Sequence, residues 1–462
     1  MSGVLAASGY VPRYRLPREL IAKEWGSGAA PGEKAVANHD EDSLTLAVNA
    51  ALALGEDVAS VDAVFFATTT APYAEKQGAA TIAAVLDRPA TTRTLDFTDT
   101  LRAGTSAVLA ALDAIAGGAE RVLVAAGECR LGEPDSMTEQ SYGDAGAALV
   151  LGGEGGRAEV VATHSIADDF LGTWRTGAQE FSHGFPGAFE AKHGYARVLG
   201  EAMTGLLAKA KVPPRELAAV VLPQPSPRAP QGLAKTFGLD AKTQLVDGFW
   251  TTLGDTGAVQ PLLMLAAALE RAKAGDLILV AGYGDGADAI LLRATGTGAG
   301  SGASVARQIE VKRLLPSYGR YARFRKLVRK DGGGGDVSSP VVLFRDRKEV
   351  LPLYGGRCPK CATVQFPKHR ACIECGHPGG LDAVKLARRG TLFTFTNDYL
   401  HETPDPPTSH AVIDLDGGGR LYCQLTDCEP ERVAIDMPLE LTFRRLHDGG
   451  GFHNYFWKAR PA

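Results

Sequence analysis

No stretch of the sequence reaches the roughly 18 consecutive apolar residues that a membrane-spanning helix requires, so no such span is expected. Charge of one sign is also missing. The 49 Lys and Arg against 53 Asp and Glu leave a net charge of −4, which gives no basic footprint for nucleic acid. Aromatic residues are sparse at 7%, but 45% hydrophobic and 22% charged residues are ordinary for a soluble globular chain and exclude wholesale disorder. The first residues, Met1 to Gly9, lack a basic segment followed by an apolar run and a cleavage site, so a cytoplasmic location is expected. Cysteine is almost absent before residue 350, where Cys129 stands alone, whereas Cys358, Cys361, Cys372, Cys375, Cys423 and Cys428 crowd the remainder. A disulfide framework would staple the whole chain. This clustering instead predicts a local metal site in a reducing compartment.

What is abundant is glycine, 55 residues in 462, scattered in a way that signals tight turns and close backbone packing. Residues 1–295 alternate strand-like runs with alanine-rich helical runs, the pattern of an α/β domain with a buried sheet. Strands are predicted over Val61–Ala67, Arg121–Ala126, Ala218–Leu222 and Leu277–Ala281, and buried helices over Thr105–Ala116 and Pro261–Ala274. The two halves repeat one order of strand, Gly/Thr-rich turn, small-residue helix and strand, which suggests an internal duplication. Residues 296–350 read as linker and docking helix: glycine-rich 296–304, then a helix Tyr318–Lys330 whose Tyr318, Tyr321 and Phe324 make one face and whose arginines and lysines face solvent, then a second linker at Gly332–Gly335. A zinc ribbon is expected over 351–380, and the short strands and turns of 381–462, among them Gly390–Thr396, His410–Leu415 and Leu421–Leu425, predict a small β-barrel.

Cys358-Pro-Lys-Cys361 and Cys372-Ile-Glu-Cys375 form two Cys-x-x-Cys knuckles. Four thiolates satisfy tetrahedral Zn2+ and leave no open position for water, so this metal is expected to fold the ribbon without catalysing anything. Cys423 and Cys428 read as small buried side chains.

The first 295 residues resemble the thiolase superfamily, and within it the 3-hydroxy-3-methylglutaryl-CoA synthase branch with its ketoacyl synthase III relatives. The resemblance rests on Asp40–Ala51, Pro72-Tyr73, Asp96–Ala107, Tyr142–Ala148, Trp174-Arg175, Ser182–Gly184 and Gly282–Gly286, which follow one another in the family's order. It implies a duplicated α/β/α/β/α domain, and the segment from Tyr318 to Ala462 resembles the zinc-ribbon and OB-fold domains that accompany such enzymes. It also implies an active-site set that this chain does not carry. Leu101 stands at the position of the nucleophilic cysteine, Pro223 at the histidine, Asp255 at the asparagine, and Thr69 or Thr70 near the general-acid glutamate. A leucine cannot attack a thioester. Cys129 lies where the family places no nucleophile, and it reads as a core residue.

Asp99, Arg102 and Asp255 are expected to face the former active site, with Tyr73 and Gln224 at its rim. Carboxylates beside an arginine are able to act as base and acid in aldol cleavage; the plainer reading is that Arg102 pairs with Asp99 or Asp255 and plugs a disused site. His183 and His193 read as packing or surface histidines. Arg197 and Arg228 are the candidates for binding the phosphates of a coenzyme A thioester, their alternative being solvated surface charges. The resemblance implies a homodimer and a separate thiolase partner that this chain scaffolds and feeds, with His401, Pro406, Pro407 and His410 of the barrel loops near the acyl-CoA or the partner. The competing expectation is a non-covalent aldolase for β-hydroxyacyl-CoA. Nucleic acid and membrane are not expected partners.

Overall fold

A computed structural model of the chain describes residues 2–185, 187–296, 304–328 and 338–462. The predicted linkers lie largely (296–304) or wholly (Gly332–Gly335) outside those residues. The described residues form two compact units. The first spans Met1–Asn38, Asp42–Ala83 and Arg88–Tyr321, and the second His39–Glu41, Ala84–Asp87 and Ala322–Ala462.

The first unit is built on nine strands: β1 (Gly3–Tyr10), β2 (Ala63–Ala67), β3 (Arg93–Phe97), β4 (Arg121–Glu128), β5 (Ala145–Gly152), β6 (Ala158–Ala167), β7 (Leu217–Val221), β8 (Leu277–Tyr283) and β9 (Gly286–Ala294). Their order is β7-β8-β9-β6-β1-β5-β4-β2-β3, one mixed sheet. Its two halves repeat each other, with β2 parallel to β3 and β4 in the first and β7 parallel to β8 in the second. A short antiparallel pairing of Gly3 with Glu159 and Val4 with Ala158 joins them.

The helices that matter for the site are α1 (Ser43–Leu52), α2 (Ala103–Ala116), α3 (Arg197–Ala210) and α4 (Gln260–Leu269). Asp42 caps α1 by accepting from the Thr45 amide while Thr45 returns a bond to the Asp42 amide, a capping box. α2 and α4 share one apolar core with strands of both halves, through Ala103, Ala107, Ala111, Leu262 and Leu265 among others. Their closeness explains the small residues: a Cβ on Gly104 would sit 2.3 Å from the Ala258 carbonyl. α3 covers the second half with Val198, Ala202, Met203 and Leu206. α4 ends at Leu269, short of the predicted Ala274, because Glu270-Arg271 begins a polar turn.

Residues 305–321 belong to the first unit rather than to a free linker. Arg313–Leu314 adds a parallel strand beside Tyr14-Arg15, and Gln308 bonds the Val11 amide and the Gly9 carbonyl. Tyr318 and Tyr321 are buried as expected, Tyr318 donating 2.7 Å to Glu139 and Tyr321 accepting from Lys34.

In the second unit, strands Tyr354–Arg357, Val364–Gln365 and Asp382–Lys385 form a small sheet carrying the cysteine knuckles. Five strands follow, β10 (Arg389–Asp398), β11 (Thr408–Leu415), β12 (Arg420–Gln424), β13 (Pro438–Gly449) and β14 (Phe452–Pro461), ordered β12-β11-β10-β13-β14. A bridge between Leu425 and Ala459 closes the ends into a barrel. Its floor is charged: Arg444, with no exposed side-chain surface, pairs with Asp40, Glu41 and Asp427, and Lys458 reaches Asp40 at 2.9 Å.

Candidate functional site

β3 ends at Phe97 and the chain turns through Thr98–Arg102 into α2. Leu101 sits in this turn, half-buried, and Thr100 ties it to the opposite loop by donating 2.9 Å to the Gly284 carbonyl. Close approach demands glycine there: a Cβ at 284 would lie 2.8 Å from the Leu101 amide nitrogen.

The expected Arg102 pairings do not form. Arg102 donates 3.0 Å to the Ile166 carbonyl and pairs at 3.3 Å with Asp288, which also accepts from Thr105, Ser106 and Ser165. Asp288 lies on β9, far away in sequence, and a four-donor shell makes it the natural home for the guanidinium. Asp99 faces solvent, in a left-handed turn at φ 70°, and takes only the Thr98 hydroxyl. Tyr73 is half-exposed beneath the Lys76 ammonium, 5.6 Å from its ring centre. Gln224 is buried rather than at a rim, its amide bonded to the Gln260 side chain.

Asp255 does pair with an arginine, but with Arg130. Its carboxylate lies 2.7 Å from Arg130, with side-chain exposures of 11% and 2%, and accepts from the Gly257 amide. The guanidinium also stacks on Tyr142 at 3.9 Å, and Asp255 with its neighbours holds Arg130 firmly protonated despite burial. Pro223 has no side-chain donor, but its carbonyl accepts 2.6 Å from Tyr195.

Three acidic and phenolic groups join the region, two of them, Glu128 and Glu190, without any expectation from the sequence. Glu128, wholly buried, accepts from Thr69 and Thr70, whose hydroxyls lie at 3.0 and 2.7 Å. Desolvation raises its pKa, opposed by Arg130. It is the residue before Cys129, which drew attention only because it is a thiol. Cys129 itself is partly buried, its amide bonded to Thr70. Glu190 engages the Tyr283 hydroxyl and lies within electrostatic reach of Asp255. Burial raises the pKa of Glu190, and burial with Glu190 and nearby carboxylates raises that of Tyr283. Tyr283 lies in the Gly282–Gly286 stretch, but Glu190 belongs to no motif, so only the fold brings the two together.

Arg197 pairs with Asp168 and Glu201, and Arg228 sits exposed at the head of the helix Ala229–Phe237. His193 stacks on Phe189 and His183 on Trp174, both packing roles. In the barrel, His401 is exposed, and His410 stacks on Tyr422 and bonds its hydroxyl at 2.9 Å.

The four ribbon cysteines fit a metal. Their sulfurs lie within 4.8 Å of one another, with Cys358–Cys375 at 3.7 Å and Cys361–Cys372 at 3.5 Å. A tetrahedral zinc with bonds near 2.3 Å wants sulfur separations of about 3.8 Å. The knuckles match each other: Lys360 and Glu374 amides point at Cys358 and Cys372, and left-handed Ala362 and Gly376 close the turns. Cys423 is buried and its thiol is pushed up to about 12.

Residues 383–444 match the family described as the C-terminal OB-fold domain of ChsH2, and residues 207–294 the C-terminal part of 3-oxoacyl-[acyl-carrier-protein] synthase III. The chain is 31% identical over 353 residues to the hydroxymethylglutaryl-CoA synthase of Methanopyrus kandleri, covering 70% of this chain and 97% of that one. It is 32% identical over 348 residues to the Aeropyrum pernix enzyme, at 71% and 95%. Among solved structures, an HMG-CoA synthase complexed with CoA aligns with TM-score 0.62 at 19% identity, covering 73% of this chain and 94% of that one. The Aquifex aeolicus 3-oxoacyl-[acyl-carrier-protein] synthase III aligns at 0.56 and 22% identity, covering 63% and 100%. These two share the fold. By its sequence and its thiolase-like architecture, the chain belongs to the hydroxymethylglutaryl-CoA synthase family.

Proposed function

We propose that this chain is an acyl-CoA-handling subunit that makes no acyl-enzyme of its own and works beside a separate thiolase, which supplies the nucleophilic cysteine for carbon–carbon bond cleavage or formation on acyl-CoA thioesters. The carrying observation is the Asp255–Arg130 ion pair, which puts a salt bridge where the resemblance places the family's asparagine. Leu101 in the nucleophile's turn and Pro223, whose carbonyl is held by Tyr195, support the same reading. Coenzyme A enters this reading because relatives are named for CoA thioester chemistry and one structural neighbour was solved with CoA. Since Arg197 is engaged by two carboxylates, Arg228 is the better placed of the two candidate phosphate ligands.

In this reading the ribbon holds one Zn2+ on Cys358, Cys361, Cys372 and Cys375, a structural metal with no catalytic step. The chain forms a homodimer through its first unit, whose nine-stranded sheet ends on β7 at one edge and β3 at the other. Among the described residues no helix is long and apolar enough to cross a membrane, and a cytoplasmic location is part of the proposal.

A second reading has its own observation. Glu190 and Tyr283 are a proton-carrying pair near Asp255, suited to a non-covalent aldolase acting on β-hydroxyacyl-CoA. Copurification of the tagged full-length chain from its host, with assay of complex and isolated chain for thiolytic and retro-aldol cleavage, separates the two. Activity only when a cysteine-bearing thiolase is bound supports the first; turnover by the isolated chain supports the second.

A further inference from the structure

We propose that Glu190 is the catalytic base and acid of the former active site, positioned by Tyr283, and that the site takes neutral 3-hydroxyacyl thioesters with an apolar β-substituent. This rests on the second, aldol reading of the pocket.

The placement is specific to this fold. Glu190 opens a π-helical segment, Glu190–Ala196, an irregularity that often marks functional sites. The wide turn sets Gly194 under Tyr283, where a Cβ would meet the phenol oxygen at 2.2 Å, so a missing side chain seats the hydroxyl. Tyr283 ends β8 at the loop whose Gly284 presses against the Leu101 amide. The pair therefore stands beside the turn that leads into α2. Burial makes Glu190 a stronger base than an ordinary carboxylate, and Tyr283 stays protonated and donates to it.

Charge and shape define the acyl group. Arg130 is spent on Asp255 and Arg102 on Asp288. Asp168 and Asp255 are already paired with Arg197 and Arg130, so it is Asp285, which acts electrostatically on Tyr283, that opposes an acyl chain ending in a carboxylate. On the other side, Phe170 lies against Gly194 and packs with Phe185 and Phe189, both exposed. An apolar β-substituent would cover these rings.

The step balances without a further reactant. The Glu190 carboxylate takes the β-hydroxyl proton and the Cα–Cβ bond breaks. A carbonyl compound leaves, and the bonding pair becomes the thioester enolate, near the N-terminal end of α2, whose dipole favours negative charge. Cα then takes the proton back from the Glu190 carboxyl, giving the shortened acyl thioester.

The test uses the full-length chain with 3-hydroxyoctanoyl-CoA for cleavage and octanoyl-CoA in D2O for exchange of Cα protons, read by NMR. Wild type performs both. Glu190→Gln loses both by about 100-fold or more while thioester binding changes less than about two-fold, and Glu190→Asp recovers part of the loss. Tyr283→Phe lowers kcat with KM nearly constant and moves the acid limb of the pH profile upward, because its hydrogen bond lowers the Glu190 pKa against Asp255 and burial. Exchange without cleavage, lost in Glu190→Gln, keeps the residue assignment and overturns the aldol reading. Cleavage untouched by Glu190→Gln overturns the assignment and keeps the aldol reading; absence of both activities overturns both. Equal turnover of 3-hydroxy-3-methylglutaryl-CoA overturns the proposed acyl selectivity.

Discussion

The Arg130 guanidinium lies 2.7 Å from the Asp255 carboxylate, and the two side chains are almost closed off from solvent. A buried pair of this kind is retained or replaced as a unit: removing one partner strands a charge that burial has already desolvated.

Asp255→Leu alone should therefore destabilise the first unit by about 3–5 kcal/mol, measured by denaturant unfolding. The double variant Arg130→Met/Asp255→Leu should recover only part of that loss, since it also removes the cation beside buried Glu128. A single variant as stable as wild type would mean that the pair is not closed in solution.

The purified chain should carry one zinc per molecule by elemental analysis. Cys372→Ser should abolish stoichiometric binding and lower the melting temperature of the second unit, while the first unit's transition stays in place, because a four-sulfur site contributes folding free energy directly.

The second unit should be acid-sensitive. Desolvation drives His39 from 6.5 down to about 4 despite the adjacent Asp40. Its folded pKa is below its unfolded one, so the unfolded chain binds more protons between those values and stability falls as pH drops from about 6.5 to 4, by up to about 3 kcal/mol. Asp40, held well below the usual carboxylate range by Lys458 and Arg444, adds to the loss only under about pH 4. His39→Gln should flatten the upper part of the stability–pH curve, and an unchanged curve would refute the assignment.

Arg444→Met should be among the most damaging substitutions in the barrel, since it removes the guanidinium that pairs with Asp40, Glu41 and Asp427 together. A loss of about 3–5 kcal/mol in the second unit's unfolding free energy is expected.

Local and periodic features of this molecule were readable in its sequence. The cysteine knuckles declared themselves by spacing, the α2 and α4 helices by small or apolar residues at helical period, and β2, β4 and β8 by apolar runs. Side chains whose partners are distant were not. Arg102 reaches Asp288 across 186 residues, and Arg444 reaches Asp40 across 404. Charge alone offered Arg102 either Asp99 or Asp255, and only the sheet order, which brings β9 beside β6 and α2, supplies its actual partner Asp288. Glu190 was passed over for the same reason: its chemistry depends on a π-helical turn and on Tyr283, 93 positions away by number, neither of which a spacing pattern encodes.

The central claim is that this chain forms no acyl-enzyme. Incubating the purified full-length protein with acetyl-CoA and recording its intact mass, with free coenzyme A followed in parallel, tests it most directly. The account predicts an unchanged mass and no coenzyme A release above the uncatalysed rate. A mass gain of one acetyl group with stoichiometric coenzyme A release, mapped to Cys129 or any other residue of the first unit, would contradict it.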